Sequence, residues 1–492
     1  MTCQSTPRVN TTLLLGLSSR LTCLVVLVLL AGCAFDSSPS LSNGPSPVGL
    51  SLAVINGTVW TGDATKPFVE AIGVSANRIA ALGPTAPIRE LADGALIIDA
   101  SGGLVVPGFI DSHIHLIDAG YDLLSNKLSD MNLADTLSGD SLPLRTPKSD
   151  DAALEIALAE LAKHGVTSVH HMANWADLET LERAVADGRL TSRIYAVLPL
   201  PTWPELRDEI SSRRFGGNDG RGTPWLRVGA VKGIIDGTLE TGTAAIDSPY
   251  PGSANDDGLL LYDESRLYDT IEKVDKAGLQ VALHAVGQRA NSLVLDVYER
   301  VKQNNGPRDR RFRIEHAQHL RQADVARFGR LNVIASMQPS QISHASRIAE
   351  TIFGSNHATS VFVIRSLLSR HTPVVFGTDW PFAPAGPLNG LYAAVTRRSA
   401  ATADRHGWNV PERITIQEAL KGYTTAGAYA SFDERSKGRI AVGYLADFVI
   451  LDTNILTSPS PDIRLTSVVL TVVDGQIVYD ARTPLARASR FH

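Results

Sequence analysis

The chain has 492 residues, of which 44% are hydrophobic and 20% are charged, a composition that excludes a disordered or low-complexity protein. Lys and Arg number 46 against 51 Asp and Glu, for a net charge of −5, and no basic run stands out, so nucleic acid is not an expected partner. The three cysteines, Cys3, Cys23 and Cys33, all lie at the N-terminus. This placement excludes disulfides, cysteine-ligated zinc and a cysteine nucleophile from the rest of the chain.

The first segment combines a basic flank, a short apolar run and a cysteine. Arg8 and Arg20 precede the apolar run 21–31, and the run leads through Gly32 to Cys33. Such a run is too short to span a bilayer, which takes roughly 20 residues. The segment resembles a bacterial lipoprotein signal, which implies a signal peptide over residues 1–32 and lipidation of the Cys33 sulfur. A plain signal peptide or a membrane anchor is the alternative.

Residues 33–50 are expected to form a flexible tether, because the stretch 37–47 is rich in Ser, Pro and Gly. Residue 34 is Ala rather than Asp, so the usual enterobacterial signal for retention in the inner membrane is absent. The resemblance therefore implies an exported lipoprotein of the cell envelope, held to the membrane by acyl chains on Cys33. Its expected location is the outer membrane, facing the periplasm.

Two segments near opposite ends of the remaining chain predict short antiparallel strands. Segments 52–98 and 445–479 show β-branched alternation, and each carries a hairpin-type dipeptide, Asn56-Gly57 or Asp474-Gly475. We expect one small β-sandwich domain built from both chain ends, with residues 51–107 as its N-terminal part and residues 433–492 as its C-terminal part.

Residues 108–432 alternate short apolar strands with amphipathic segments of helical length, the pattern of a parallel α/β fold. Helices are expected over residues 151–163, 265–277, 290–301 and 361–370. Eight strands are expected, centred near Ile110, Ser168, Ala196, Ala230, Val281, Ile314, Ala335 and Val375. Eight such units in about 320 residues predict a TIM (β/α)8 barrel.

The ends of five predicted strands carry side chains that can bind a metal ion. His113 and His115 end strand one, and residues two apart on a strand project to the same face. The other candidates are Lys232 on strand four, His284 on strand five, His316 beside Glu315 on strand six, and Asp379 on strand eight. A barrel brings these strand ends to one rim, and their N and O donors suit Zn²⁺, Mn²⁺ or Fe²⁺. A single histidine at a strand end is more often a hydrogen-bonded structural residue, and a lysine such as Lys232 is normally solvated or paired, here with Asp236. The convergence of the whole set on one rim favours metal binding instead.

The order HxH, Lys, His, His, Asp resembles the amidohydrolase superfamily, and more narrowly the subgroup that includes N-substituted formamide deformylase. The resemblance extends over residues 51–480. Its motifs are PGFIDSHIHL (107–116), KGIIDGT (232–238), LHAVGQRA (283–290), IEHAQ (314–318), SMQP (336–339), GTDWP (377–381), YTTAGAYAS (423–431) and KGRIAVGYLADFVIL (437–451).

The resemblance implies a metal-dependent hydrolase that cleaves a non-peptide C–N bond in a small molecule, such as an amide, a formamide or a cyclic amide. It implies two divalent ions, with Zn expected and Mn or Fe as alternatives, bridged by hydroxide and by a carbamylated Lys232. In that scheme His113, His115 and Asp379 hold one ion, whereas His284 and His316 hold the other. Asp379 is also the implied catalytic residue, which takes a proton from the nucleophile and passes it to the departing nitrogen.

The sequence departs from the family pattern at two places. Gln341 stands where the family commonly has a histidine after its QP motif, and His344 is a candidate replacement. Strand two ends in His170-His171, where relatives often carry an acidic or amide residue. Both differences concern the choice of substrate.

The sequence is compatible with other substrates and other functions. Three aromatic residues are expected near the rim, Trp175, Trp380 and Phe382. Packing is the commoner role of such residues, and a role at the site would favour a partly apolar substrate. A mononuclear deaminase or an esterase in the same barrel is one alternative. A surface lipoprotein that binds a ligand without catalysis is another, and a homo-oligomer is compatible with either.

Overall fold

The computed structural model describes residues 49–130, 145–354, 360–398 and 407–483, all within the unit Val48–His492. The predicted signal peptide 1–32, Cys33 and the tether up to residue 48 lie outside the described residues. In the part of the chain that is described, no helix combines the length and the apolar character needed to cross a membrane.

The N-terminal described segment contains seven short strands and one helix. The strands are β1 (Leu52–Ile55), β2 (Thr58–Trp60), β3 (Phe68–Val69), β4 (Ala71–Ser75), β5 (Arg78–Gly83), β6 (Leu96–Asp99) and β7 (Leu104–Pro107). The helix is α1 (Thr85–Leu91) and lies between β5 and β6.

Eight parallel strands follow, and they form one sheet in chain order. They are β8 (Phe109–Ile114), β9 (Val166–Met172), β10 (Arg193–Pro199), β11 (Leu226–Ile234), β12 (Gln280–Ala285), β13 (Arg313–His316), β14 (Ile334–Met337) and β15 (Val374–Phe376). All eight coincide with the predicted strands. The sheet is a nearly closed barrel, since the segment after β15 returns to β8, where the Asp379 amide donates to the His113 carbonyl at 2.8 Å.

A glycine permits this close approach of the two ends of the sheet. A Cβ atom at Gly377 would lie 2.5 Å from the backbone nitrogen of His113, a distance that no side chain tolerates. The Thr378 amide then donates to the buried Asp111 carboxylate at 3.0 Å. These contacts bring the end of the eighth barrel strand against the first.

In the described ranges, twelve further helices surround the barrel or follow it. They are α2 (Leu116–Asp130), α3 (Pro147–Lys163), α4 (Trp175–Ala186), α5 (Trp203–Ser211), α6 (Glu264–Lys276), α7 (Gln288–Asn305), α8 (Gln322–Leu331), α9 (Ile342–Phe353), α10 (Ile364–Ser369), α11 (Pro387–Thr396), α12 (Ile416–Gly422) and α13 (Thr425–Ala430). Helices α3, α6, α7 and α10 match the four predicted ones within a few residues. Helix α10 starts later than predicted because Val361 pairs with His319 and Phe362 has a φ of +52°.

The last three strands join β7, β2 and β3 in one mixed sheet, and the other four N-terminal strands form a second mixed sheet. The last three strands are β16 (Phe448–Leu451), β17 (Val468–Val473) and β18 (Gln476–Asp480). One sheet has the order β5-β4-β1-β6, and the other has the order β18-β17-β16-β7-β2-β3. Apolar residues from both sheets share one buried cluster, including Val54, Ile72, Phe448 and Leu470. The barrel and the β-sandwich from both chain ends are therefore as predicted, whereas the domain boundaries at 107/108 and 432/433 stay predictions.

The two hairpin dipeptides behave differently. Asp474 and Gly475 have φ values of +56° and +76°, as a type I′ turn requires, and they join the antiparallel pair β17 and β18. Asn56-Gly57 is not a hairpin turn, because only Asn56 has a positive φ and the chain passes there from one sheet to the other. The expectation of purely antiparallel pairing is also wrong, since β1 pairs with β6, and β2 with β7, in parallel.

Candidate metal centre

Two histidines and an aspartate converge at the C-terminal mouth of the barrel. His113 lies in β8 and His115 directly after it, while Asp379 follows β15. Asp379 Oδ1 lies 3.5 Å from His113 Nε2 and 3.5 Å from His115 Nε2. One donor atom from each of the three residues lies within 4.8 Å of the others, a spacing that suits coordination of a single ion.

Two candidate donors occupy unusual backbone conformations. Asp379 has a φ of +63° and His316 a φ of +71°, in the left-handed region that residues other than glycine seldom adopt. Such conformations cluster at functional sites, where the surrounding structure holds them. For Asp379, that support includes the hydrogen bond from its amide to the His113 carbonyl.

The remaining predicted donors lie in the same mouth. Lys232 Nζ lies 3.4 Å from His113 Nε2. The rings of His284 and His316 have centroids 4.4 Å apart, and His316 lies 4.9 Å from the His113 ring. Backbone carbonyl Gly237 accepts from His284 Nε2 at 3.1 Å, so Nδ1 is the ring nitrogen of His284 that is left for a ligand. The barrel thus brings all six predicted residues to one mouth. The donor atoms of His113, His115 and Asp379 form a group within 4.8 Å of one another.

Burial sets the protonation of these groups. It lowers the pKa of His115 to about 2 and that of His284 to about 3, and it holds the pKa of His316 well below its usual value. Burial also lowers the pKa of Lys232 and raises that of Asp379. Neutral imidazoles are the form that ligates metals. Neutral nitrogen donors gathered around a carboxylate therefore fit a divalent cation of the Zn, Mn or Fe type.

A buried charge pair that sequence reasoning missed supports His113. Glu315 Oε2 lies 2.7 Å from His113 Nδ1, and Arg313 Nε donates to Glu315 Oε1 at 2.7 Å. Both Arg313 and Glu315 are fully buried. A carboxylate only accepts, so His113 carries its proton on Nδ1 and directs Nε2 toward the centre. The spacing of Arg313 and Glu315 in the sequence could have indicated this pair, because residues two apart on a strand lie on the same face.

Glutamine side chains hold two of the other donors. Gln338 Oε1 accepts from His316 Nδ1 at 3.1 Å, which leaves Nε2 of that ring for a ligand. Gln341 Nε2 donates to Asp379 Oδ2 at 3.3 Å. His344, the candidate replacement for the family histidine, is exposed and lies 4.0 Å from Glu240. Gln341 itself therefore contacts the aspartate.

The hydrogen bonds of the two strand-two histidines are made to groups other than the predicted donors. His170 Nδ1 accepts from Arg313 at 2.8 Å, which places this ring behind the Arg313–Glu315 pair. His171 Nδ1 accepts from the Leu116 amide at 3.1 Å. Both rings are buried, and their hydrogen bonds hold Arg313 and the Leu116 backbone in place around the centre.

The three aromatic residues have different surroundings. Trp380 is buried in the main core, and its carbonyl accepts from the His115 amide at 2.9 Å. Trp175 is half-buried against the same core. Phe382 is 75% exposed, and its ring lies edge-on to His115 with centroids 5.6 Å apart. Of the three, Phe382 is the one that borders the donors from the open side.

Comparison with known proteins gives consistent matches. A family model described as the amidohydrolase family matches residues 96–139 and 126–479. Protein LONG AFTER FAR-RED 3 of Arabidopsis thaliana is 29% identical over 88% of this chain and 92% of that protein. N-substituted formamide deformylase of Arthrobacter pascens is 28% identical over 52% of this chain and 46% of that protein. A crystal structure described as an uncharacterized metal-dependent hydrolase from Pyrococcus furiosus is similar with a TM-score of 0.67 and 25% identity, covering 82% of this chain and 100% of that one.

Proposed function

Because the chain belongs to the amidohydrolase family and is a hydrolase of carbon–nitrogen bonds other than peptide bonds, we propose that it cleaves an amide, a formamide or a cyclic amide with divalent metal held at the barrel mouth. The observation that carries the proposal is the convergence of His113, His115 and Asp379 within 4.8 Å. Lys232, His284 and His316 complete the donor set.

The reaction class follows from the chemistry of these donors. A divalent ion bound there supplies a Lewis acid for the substrate carbonyl and lowers the pKa of water toward neutrality. The residues of the chain do the rest: Glu315 holds His113 in the tautomer that presents Nε2, and Gln341 fixes one oxygen of Asp379. Asp379 accepts the proton of the attacking water and delivers it to the nitrogen, as the C–O bond forms and the C–N bond breaks. Burial raises the pKa of this carboxyl, which makes it a better proton acceptor.

Lys232 is proposed as a carbamylated bridge between two ions. A protonated lysine cannot ligate, whereas a carbamate is an anion with two oxygen donors. Two features support this role: Lys232 Nζ lies 3.4 Å from His113 Nε2, and burial favours the neutral amine that reacts with CO₂. A single-ion centre, as in a mononuclear deaminase, is the second candidate, because three donors alone form the tightest group.

The proposal is tested by screening N-acyl, N-formyl and cyclic amides with protein loaded with Zn²⁺ or Mn²⁺. We expect hydrolysis of at least one class, and loss of all but a few per cent of that turnover in Asp379→Asn, with an unchanged circular dichroism spectrum. Wild-type protein that retains no divalent ion after purification and reloading would contradict the proposal. Full activity of Asp379→Asn would remove the proton-transfer role.

A further inference from the structure

Large apolar side chains are exposed on both sides of the candidate metal centre. Phe382 is 75% exposed and stands three residues after Asp379. Its amide donates to the Asp379 carbonyl at 2.8 Å, so a closed turn fixes its position beside His115. Packing does not account for a phenylalanine left mostly in solvent next to catalytic groups, because aromatic side chains normally bury their large apolar area.

An aliphatic wall, formed by Ile234, Leu259 and Leu261, borders the centre from another strand. Ile234 lies two residues after Lys232 on β11, so the two side chains project to the same face. Ile234 is also in register with His284 on the neighbouring strand. The Leu261 amide donates to the Ile235 carbonyl at 2.9 Å, which places Leu261 beside the end of β11, and Leu259 lies two residues before it in the chain. The three side chains are 52%, 54% and 48% exposed.

The barrel sets these two apolar surfaces opposite each other. The aliphatic wall belongs to β11, the fourth strand of the sheet, whereas Phe382 follows β15, the eighth. In a closed eight-stranded barrel the fourth and eighth strands are diametrically opposed. The donors of the centre, including His113 and Lys232, lie between the two surfaces. Exposed apolar area around a few convergent polar groups is typical of a ligand site.

We propose that the slot between Phe382 and the aliphatic wall binds an uncharged apolar chain or ring adjoining the scissile C–N bond, so that the substrates are neutral amides with an alkyl or aryl substituent. This inference rests on the proposed function. It assigns Phe382 and Ile234 as residues that determine specificity. The exposed faces of these side chains lose their contact with water when such a substituent binds, and a charged or small polar substituent gains nothing from them.

Two matched substrate series test the proposal with metal-loaded wild-type protein. One series is the N-alkylformamides from methyl to hexyl, and the other is the N-methylamides with acyl groups from formyl to hexanoyl. We expect kcat/KM to rise about fourfold per added methylene in at least one series, until the slot is filled. The gain should appear mainly in KM, because the contacts are made in the ground state as well as in the transition state.

Variants separate the slot from a general effect on the fold. Phe382→Ser and Ile234→Ser should raise KM for the longest substrate about tenfold and KM for the methyl compound much less, so that the slope of kcat/KM against chain length falls. Phe382→Leu should restore most of that slope. Phe68→Ser is the matched control, since Phe68 is 51% exposed on β3, outside the barrel. A flat response in both series, or equal losses in Phe68→Ser, would overturn the proposal.

Failure of the proposed function gives a different result. If no compound of any length is hydrolysed, the hydrolase assignment for these substrates fails, and the same compounds are then titrated into wild-type protein by calorimetry. Tighter binding of the longer compounds, lost in Phe382→Ser, supports the slot. Equal binding of all lengths overturns it.

Discussion

The Glu315 carboxylate links His113 to Arg313 in the interior of the barrel. Burial opposes the charge on Glu315, but the Arg313 guanidinium and the hydrogen bond from His113 outweigh burial and hold the pKa of this carboxyl well below its usual range. The ionised carboxylate in turn holds the His113 tautomer. The sequence indicated His113 through its spacing with His115, whereas the contact with Glu315 spans 202 positions of the chain and has no local signature.

Replacing Glu315 should therefore weaken both the fold and the metal centre. We expect Glu315→Gln to cost about 3 kcal/mol or more of unfolding free energy, because it leaves the buried Arg313 without a countercharge. Metal affinity should fall roughly 10- to 100-fold through the loosened His113. Urea unfolding and competition with a zinc chelator measure the two effects. Glu182→Gln, which removes a surface partner of Arg214, is the control and should stay within about 1 kcal/mol of wild type.

The role of Lys232 is read most directly from metal counting. We expect close to two ions per chain in wild-type protein by elemental analysis, and fewer in Lys232→Ala, because the bridging donor is gone. Lys163→Ala, at an exposed ion pair with Glu160, should leave the count unchanged. A carbamate carbon signal after equilibration with ¹³CO₂ should appear in wild type and disappear in Lys232→Ala. One tightly held ion in both forms would establish the single-ion centre instead.

For the secondary-structure elements, the local sequence pattern predicted where strands and helices lie better than it predicted which strands pair with each other. All eight barrel strands follow from short apolar runs, since each strand is recognisable by itself. Helix α3 begins at Pro147, earlier than its apolar pattern, because Thr146 and Ser149 form a capping box. The partner of β1 was not predictable in this way. Its parallel pairing with β6 depends on how forty residues of intervening chain cross the sheet.

Helix α12 offers a prediction about pH. Glu418 accepts from Thr415 in a capping box and pairs with Arg365 through both oxygens, at 2.7 and 2.6 Å. The Arg365 hydrogen bonds lower the pKa of Glu418 from 4.5 to about 2. A lowered carboxyl pKa stabilises the fold above the unfolded pKa, and this stabilisation is lost as pH falls from about 4.5 to about 2.

We therefore expect Glu418→Gln to be less stable than wild type by about 1 to 2 kcal/mol at pH 7. The difference should shrink as the pH is lowered from 4.5 toward 2, because the wild-type carboxylate becomes protonated there. Urea unfolding at pH 7, 4 and 3 measures it. Glu179→Gln, at an exposed position of α4, is the matched control. A difference between Glu418→Gln and wild type that is constant with pH would contradict the assignment.

At the scale of the whole molecule, a buried arginine joins the barrel to the strands from the C-terminal end. Arg193 of β10 donates to the two oxygens of Asp447 at 2.7 and 2.9 Å, and to Asp474 at 2.7 Å. These acidic residues precede β16 and form the β17–β18 turn. The sandwich is therefore held to the barrel by charge-assisted hydrogen bonds, of which those between Arg193 and Asp447 are buried, as well as by chain connection.

We propose that the whole molecule is anchored to a membrane through lipid on Cys33. In a bacterial host, wild-type protein should fractionate with membranes and incorporate labelled fatty acid, whereas Cys33→Ser should be soluble and unlabelled, since acyl chains supply the membrane affinity. Cys23→Ser, which changes a cysteine inside the predicted signal, is the control and should behave as wild type. Membrane association of Cys33→Ser would contradict the lipid anchor.

The barrel strands, the β-sandwich formed from both chain ends and the six candidate donors are all predictable from the sequence, because each depends on local periodicity or on spacing within one segment. The atoms that meet at the barrel mouth are known from the folded chain alone: Asp379 meets His113 and His115, Gln341 meets Asp379, and Glu315 meets His113. The folded chain also shows that Trp380 packs in the core while Phe382 faces solvent beside His115. These contacts join side chains from different strands and loops of the barrel, which meet at its mouth after the strands have closed into one sheet. Local pattern places a side chain on a face, and closure of the barrel determines what it touches.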